Sequence, residues 1–309
     1  MTKIFIDGKA GTTGLRIYER LESRKDIEIL TLSEEKRKDS EARKERLNTA
    51  DIVFLCLPDD AAREAVSLIT NPDVVVIDTS TAHRTEPGWI YGFPEVSDNI
   101  ASELPKAKRI AVPGCHASGF IALVKPLIDN GYLPKNAKLS CFSITGYSGG
   151  GKKMIAQYDA PDRNVLLDAP RQYGLSQNHK HLKEMKAVCG LEYAPVFCPI
   201  VSDFYSGMEV TVPVFASDLL KGSVDEIKEL YKNKYNSQII YYGNADNGDG
   251  TASAATLSNK DSMIISAEGN DERLVLTALY DNLGKGASGA AIEILNLILG
   301  CDPTMGLDL

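Results

Sequence analysis

Lys3-Ile4-Phe5-Ile6-Asp7-Gly8-Lys9-Ala10-Gly11-Thr12-Thr13-Gly14-Leu15 decides the fold. Lys3 to Ile6 reads as a buried strand, the glycines break it, and Leu15 to Leu21 reads as a helix. Glycines at a strand-to-helix turn let backbone approach a pyrophosphate, and the helix N-terminus behind them offers amides and the positive end of a dipole. The spacing is GxxGxxG, a variant of the dinucleotide fingerprint, so Gly8, Gly11, Thr12, Thr13 and Gly14 are expected to hold a dinucleotide. A plain tight turn would also use glycines; the βαβ setting separates the two readings.

Outward from this motif, Ile27 to Leu32, Asp51 to Leu57, Val74 to Asp78 and Arg109 to Val112 read as further short strands, with a helix over Ala61 to Ile69. Such alternation predicts an α/β, Rossmann-type, doubly wound parallel sheet. The charged stretch Ser33 to Arg46 reads as a solvated helix or loop. After Cys115 the texture changes. Lys138 to Thr145, Ala194 to Ser202, Glu209 to Ala216 and Ser262 to Glu268 alternate as in a half-exposed mixed or antiparallel sheet, which predicts a second, α+β domain. Gly149 to Pro195 is too long for a bare loop unless functional or partly helical. Ala287 to Leu299 reads as a buried helix that could return to the first domain. The expected division is a dinucleotide-binding domain over 1–115, completed by 285–309, and a catalytic and oligomerisation domain over 116–284.

The 309 residues, 43% hydrophobic and 25% charged, suit an ordinary two-domain globular protein, and a net charge of −8 argues against a nucleic-acid binder. Small molecules and copies of the chain itself are the expected partners. The sequence enters its first strand directly after Met1-Thr2-Lys3 and contains no apolar run of membrane-spanning length, so the expectation is a cytoplasmic protein without membrane contact. Six cysteines are scattered without CxxC pairs or zinc spacing, so no metal is expected.

Five of these cysteines read as core thiols. Cys115 is different, because Val112-Pro113-Gly114-Cys115-His116-Ala117-Ser118-Gly119 puts it where a strand turns into a helix. A thiol there faces backbone amides and the positive helix end, which favours the thiolate and makes a nucleophile. At the end of the second strand, where an NAD-type enzyme carries an acid for the ribose, this chain has Ser33, then Glu34 and Glu35, then Lys36, Arg37 and Lys38. A hydroxyl backed by cations such as Arg37 suits a 2′-phosphate, so NADP is favoured. A nicotinamide site plus an activated cysteine points to aldehyde or acyl chemistry through a thiohemiacetal or thioester.

The chain resembles the acyl-phosphate reductases of the aspartate-semialdehyde dehydrogenase group, and within it the short form of the N-acetyl-γ-glutamyl-phosphate reductases. The matching pieces are Asp7 to Leu15, Leu55 to Ala61, Asp78-Thr79-Ser80-Thr81-Ala82-His83-Arg84, Tyr91 to Glu95, the Pro-Gly-Cys turn, His179 to Met185 and Asp281 to Ala287. The longer form has an aromatic residue and then Thr-Gly after the cysteine, where this chain has His116 and Ser118-Gly119. The resemblance implies NADPH-dependent reduction of N-acetyl-γ-glutamyl phosphate to the semialdehyde, with release of phosphate, through a Cys115 thioester in arginine biosynthesis. The rival readings are aspartate-semialdehyde dehydrogenase and a non-catalytic NADP sensor; a metal enzyme built on His179 and His181 lacks further ligands.

A general acid/base must accompany the thiol, and four histidines are available. If Asn178 opens a helix, His181 and Glu184 lie three apart on one face and the carboxylate can orient the imidazole; His181 is therefore chosen, with His179 as substitute. His116 is set aside, because a helical neighbour of the nucleophile should point elsewhere. Substrate anions need cations with fork geometry: Arg84 is favoured by resemblance and Arg171 comes second. Ser148 and Gly149 open a glycine-rich loop read as substrate-side or subunit-contact. Asn282 and Gly284 begin a segment whose glycines would let backbone reach the nicotinamide, although a helix-entry turn accounts for them too.

Overall fold

The computed structural model describes residues 1–37 and 39–309. Lys38, the last of the basic run behind Ser33, lies outside the described residues. The chain divides into two compact units, one comprising Met1–Pro94, Asn99–Pro113 and Ala290–Gly306, the other Glu95–Asp98, Gly114–Gly289 and Leu307–Leu309.

The first unit is built in the order β1 (Thr2–Asp7), α1 (Thr12–Leu21), β2 (Ile27–Leu30), α2 (Ser40–Thr49), β3 (Ile52–Leu55), α3 (Asp59–Leu68), β4 (Val75–Asp78), β5 (Ile90–Tyr91), α4 (Asp98–Glu103) and β6 (Arg109–Ala111). Among the described residues its six strands form one parallel sheet, ordered β2-β1-β3-β4-β6-β5. The central strands β3 and β4 are buried at every position, as strands covered on both faces must be. Leu47 of α2 and Ala62 and Ala65 of α3 pack with Phe5, Val53, Leu55 and Val76 on one face. The C-terminal helix α9 (Gly289–Leu299) belongs mainly to this unit: Ile294 lies so close to Gly92 that a Cβ there would meet its Cδ1 at 2.4 Å.

In the second unit come α5 (Cys115–Asp129), β7 (Ser140–Gly146), α6 (Gly151–Tyr158), β8 (Arg171–Gln172), α7 (His181–Cys189), β9 (Val196–Ser202), β10 (Met208–Phe215), α8 (Val224–Lys234), β11 (Ile240–Tyr242), β12 (Met263–Gly269) and β13 (Arg273–Tyr280). Among the described residues seven strands form a mixed sheet, ordered β11-β12-β13-β10-β7-β9-β8, in which β7 and β9 run parallel, as do β11 and β12. On β10, Met208, Val210, Val212 and Val214 are buried, while Pro213 and Phe215 face outward. The long segment 149–195 holds α6, α7 and the short strand β8. Within it α7 begins at His181, so His179 precedes the helix instead of lying on it.

Helix α5 contains Pro126, whose missing N–H leaves the Ala122 carbonyl without its usual helical donor. Tyr235 supplies one, its hydroxyl donating to Ala122 O at 2.7 Å, and Tyr231 donates to the next carbonyl, Leu123 O. Tyr235 thus fills the gap that Pro126 leaves in the helix that carries Cys115, and Tyr231 adds a second side-chain donor beside it.

Candidate active site

Cys115 is the first residue of α5, with Gly114 as an extended N-cap. Two contacts fix this first turn within the second unit. Tyr280 of β13 donates its hydroxyl to the Cys115 carbonyl and accepts the Gly119 N–H at 3.0 Å. Gly119 permits this approach, since a Cβ there would lie 2.8 Å from both the Tyr280 hydroxyl and Val210. The Gly114 N–H donates to Glu184 Oε2 at 3.0 Å, and Glu184 Oε1 lies 3.8 Å from His181 Nε2. One buried carboxylate therefore touches both the cysteine turn and the imidazole, a charge contact at the second because 3.8 Å exceeds a hydrogen bond. His181 and Glu184 are three apart on α7, as their spacing indicated.

His179 Nδ1 accepts the His181 N–H at 3.3 Å, and the two rings are 4.7 Å apart, edge to face. Burial pushes the His179 pKa down, with the adjacent Lys180 charge adding to the effect. His116 stands among them, 5.8 Å from His179 and 5.5 Å from His181 between ring centres. Its Nδ1 lies 2.6 Å from Ser143 Oγ and its Nε2 lies 2.6 Å from the Tyr173 hydroxyl. Burial, then His179, push the His116 pKa down to about 3, which keeps the ring neutral. His116, set aside on the sequence, is met by groups from distant chain, Ser143 of β7 and Tyr173 from the segment before α7.

A single turn of π-helix, Gly284–Ser288, runs alongside: a Cβ on Gly286 would sit 3.1 Å from Cys115 Cβ. Asp281 builds the turn, Oδ1 accepting the N–H groups of Leu283 and Gly284 at 2.7 and 2.9 Å. Gly284 is required by packing, since a Cβ would meet the Lys260 carbonyl at 2.0 Å. Lys285 is buried and pairs with Glu95 at 2.6 Å. Asn282 is buried too; its amide accepts the Gly207 N–H at 2.9 Å and donates to Ser148 Oγ at 3.0 Å. It thereby ties the residue before β10 to the Ser148-Gly149 loop. Arg171 on β8 donates to the Tyr158 hydroxyl at 3.0 Å from Nη2.

The dinucleotide motif and Arg84 lie in the first unit. The Gly11 N–H closes onto the Gly8 carbonyl at 2.9 Å, and Thr12 and Thr13 open α1. Gly8 has φ +90, and a Cβ there would reach the Cys56 carbonyl at 2.2 Å; a Cβ on Gly14 would reach the Gly8 carbonyl at 2.5 Å. Gly11 would meet nothing closer than 3.4 Å, so its missing side chain serves no contact of the chain itself and leaves the α1 N-terminus open. An open helix N-terminus behind a glycine turn has the backbone donors and the room that a pyrophosphate needs. Ser33 is exposed, and Arg37 pairs with Glu34 at 2.9 Å. Arg84 donates from Nε to Val112 O at 2.9 Å and from Nη2 to Thr79 O at 3.0 Å. Beside it His83 bonds Asp78 at 2.6 Å and stacks on Trp89. Among the described residues, no group of three or more His, Cys, Asp or Glu side chains is arranged to hold a metal.

Sequence reasoning missed Ser143, Tyr173, Tyr280 and the Lys285–Glu95 pair. Ser143 had a signal, being an inward position of an alternating strand with a polar side chain. Tyr173 had none.

Residues 3–103 match the semialdehyde dehydrogenase NAD-binding domain, and residues 115–282 match the semialdehyde dehydrogenase dimerisation domain. The N-acetyl-gamma-glutamyl-phosphate reductase of Trichormus variabilis is 42% identical over 99% of both chains. This chain belongs to the N-acetyl-gamma-glutamyl-phosphate reductase family. Another member, N-acetyl-gamma-glutamyl-phosphate reductase 2 of Pseudomonas putida, is 42% identical over 96% of both chains. The family fold is shared with aspartate semialdehyde dehydrogenases of known structure. The Vibrio cholerae enzyme II matches with a TM-score of 0.73 at 15% identity, over 97% of this chain and 98% of that one. The Francisella tularensis enzyme gives 0.73 at 14%, over 97% and 100%.

Proposed function

We propose that this chain reduces N-acetyl-γ-glutamyl phosphate with NADPH to N-acetylglutamate 5-semialdehyde and phosphate, in the arginine pathway of the cytoplasm. The observation that carries this reading is the Glu184 carboxylate, in contact with the N–H before Cys115 and 3.8 Å from His181, in a chain 42% identical to reductases of that name. Cys115 sulfur attacks the acyl carbon, the C–S bond forms as the C–O bond to phosphate breaks, and a thioester results. Bound NADPH supplies a hydride for the thioester carbon. His181, oriented by Glu184 and with His179 against its edge, gives a proton to the developing oxygen and takes it back as the hemithioacetal collapses, the C–S bond breaking to leave the aldehyde and the Cys115 thiolate.

The first unit is the dinucleotide-binding domain, where Gly8, Gly11, Thr12, Thr13 and Gly14 shape the pyrophosphate cradle. Ser33 and Arg37 prefer the 2′-phosphate once Arg37 exchanges Glu34 for it. Arg84 and Arg171 receive the substrate's anions, with Ser148 and Gly149 forming part of the acyl site. Asn282 and Gly284 act at one remove, through the turns they hold. The second unit also assembles the oligomer: Phe142, Val196, Phe215 and Val275 are 43–60% exposed on the open face of its sheet, an apolar surface that a second copy would cover.

The test is phosphate-dependent oxidation of N-acetylglutamate semialdehyde, with NADP against NAD, with aspartate semialdehyde as competitor, and with Cys115→Ser beside the wild type. NADPH formation that needs phosphate, prefers the acetylated aldehyde and vanishes in Cys115→Ser is expected. Tight NADP binding without turnover of either aldehyde would overturn the reading.

A further inference from the structure

Helix α5 starts without a side-chain cap, since Gly114 at its N-cap position has no side chain to accept the first N–H groups. Among the described residues the N–H groups of His116 and Ala117 have no partner, and both residues are buried. Buried backbone donors are normally paired. The anion that this end of the helix can meet is the thiolate of Cys115, its first residue.

One side chain is wired into the same turn. The Tyr280 hydroxyl of β13 donates to the Cys115 carbonyl and accepts the Gly119 N–H at 3.0 Å. Both directions are fixed, because a carbonyl only accepts and an N–H only donates. A hydroxyl that accepts one hydrogen bond donates a stronger one, and a donor on a carbonyl polarises the peptide group to which that carbonyl belongs. The Cys115 carbonyl and the His116 N–H are the two ends of one planar peptide group. Tyr280 therefore makes an uncommitted N–H of the cysteine turn more positive and fixes the plane in which it lies. Gly119 is matched to this contact, since a Cβ there would lie 2.8 Å from the hydroxyl. Burial holds the Tyr280 pKa well above its ordinary value, so the phenol keeps its proton.

We propose that Tyr280 is a positioning residue for the nucleophile: by donating into the Cys115 carbonyl it polarises the peptide between Cys115 and His116 and so favours the thiolate. It acts through main chain and touches neither the sulfur nor the substrate. The proposal rests on the reading of Cys115 as the nucleophile.

Alkylation of Cys115 by iodoacetamide as a function of pH, read by mass spectrometry of its peptide and without substrate, tests this. The other titratable groups around the α5 turn are left unchanged: Glu184 and His181 on α7, His179 and Tyr173 ahead of it, His116 on α5, Cys141 on β7 and Lys285 on the π-helical turn. Tyr280→Phe keeps the ring and lets the Cys115 carbonyl and the Gly119 N–H bond each other; it is expected to raise the midpoint by about half a pH unit. Replacing Tyr280 by mono- and difluorinated tyrosine keeps the hydroxyl and makes it a stronger donor in steps, and should lower the midpoint in the same order. A contact that merely holds the fold would not follow the acidity of the phenol. A wild-type midpoint in folded Tyr280→Phe would overturn the proposal, and so would a midpoint that stays fixed across the fluorinated series, which also decides the matter if Tyr280→Phe fails to fold. A wild-type Cys115 midpoint no lower than that of an ordinary thiol, ~8.5, would overturn the nucleophile reading and this proposal together. Wild-type inactivity on the acetylated aldehyde would remove the proposed substrate and leave this result standing.

Discussion

Glu184→Gln separates the two tasks of the buried carboxylate. Its Oε2 accepts the Gly114 N–H at 3.0 Å, and its Oε1 lies 3.8 Å from His181 Nε2. Glutamine keeps an oxygen for Gly114 and loses the charge beside the imidazole. At 3.8 Å and an effective dielectric constant near 20, that charge attracts an imidazolium by about 4 kcal/mol, a ceiling that desolvation of the carboxylate reduces. A loss of half of this in the transition state lowers kcat/KM by roughly 30-fold, at ~1.4 kcal/mol per factor of ten. Folding stability should stay near wild type, because the bond to Gly114 survives. Glu184→Ala removes both contacts; it should lose similar activity and, with a buried N–H left unpaired, about 1–3 kcal/mol of stability. Steady-state kinetics in the phosphorylating direction and urea denaturation of the three proteins measure both quantities. Wild-type kcat/KM in Glu184→Gln would refute the electrostatic role, and equal stabilities of the Gln and Ala variants would refute the role at the cysteine turn.

Gly8→Ala forces a side chain at φ +90 into the Cys56 carbonyl, and should destabilise the protein by at least ~2 kcal/mol in thermal unfolding, while Gly11→Ala should leave the melting curve in place and weaken NADPH binding in a fluorescence titration. Folded His116 protonates only near about 3, whereas an unfolded imidazole does so near ~6.5, so the unfolded chain binds more protons in between. Stability should therefore be full above ~6.5 and fall with pH below it, by up to ~1.4 kcal/mol per pH unit for this residue, and denaturation of His116→Gln between pH 7 and 4 should show a shallower fall. Phe142→Asp combined with Phe215→Asp charges the open sheet face, and should lower the mass measured by light scattering after size-exclusion chromatography.

What could be read beforehand was local. The glycine turn and the Pro-Gly-Cys break each announce themselves within about ten residues, and the apolar strands between them leave little choice but a parallel sheet. The i, i+3 relation of His181 and Glu184 also needed nothing beyond the helix they share. The rest depended on distant chain. His116 gains its partners from β7 and from the run ahead of α7, 27 and 57 residues away. Its surroundings could not be seen from its sequence neighbours. Strand β13 and helix α8 were not singled out, although Ser223 caps the latter by accepting the Glu226 N–H at 3.3 Å. Their patterns are ordinary, and their importance comes from what they touch: Tyr280 at the cysteine turn, Tyr231 and Tyr235 at the carbonyls of α5.

The three glycines of the nucleotide turn carry unequal information about ancestry. Gly8 and Gly14 are held by the chain's own carbonyls, so a descendant that had abandoned its nucleotide would keep both as long as it kept the fold. Gly11 is under no such obligation. In a lineage drifting toward some other use of this scaffold, it is the position at which the change of trade would first be written.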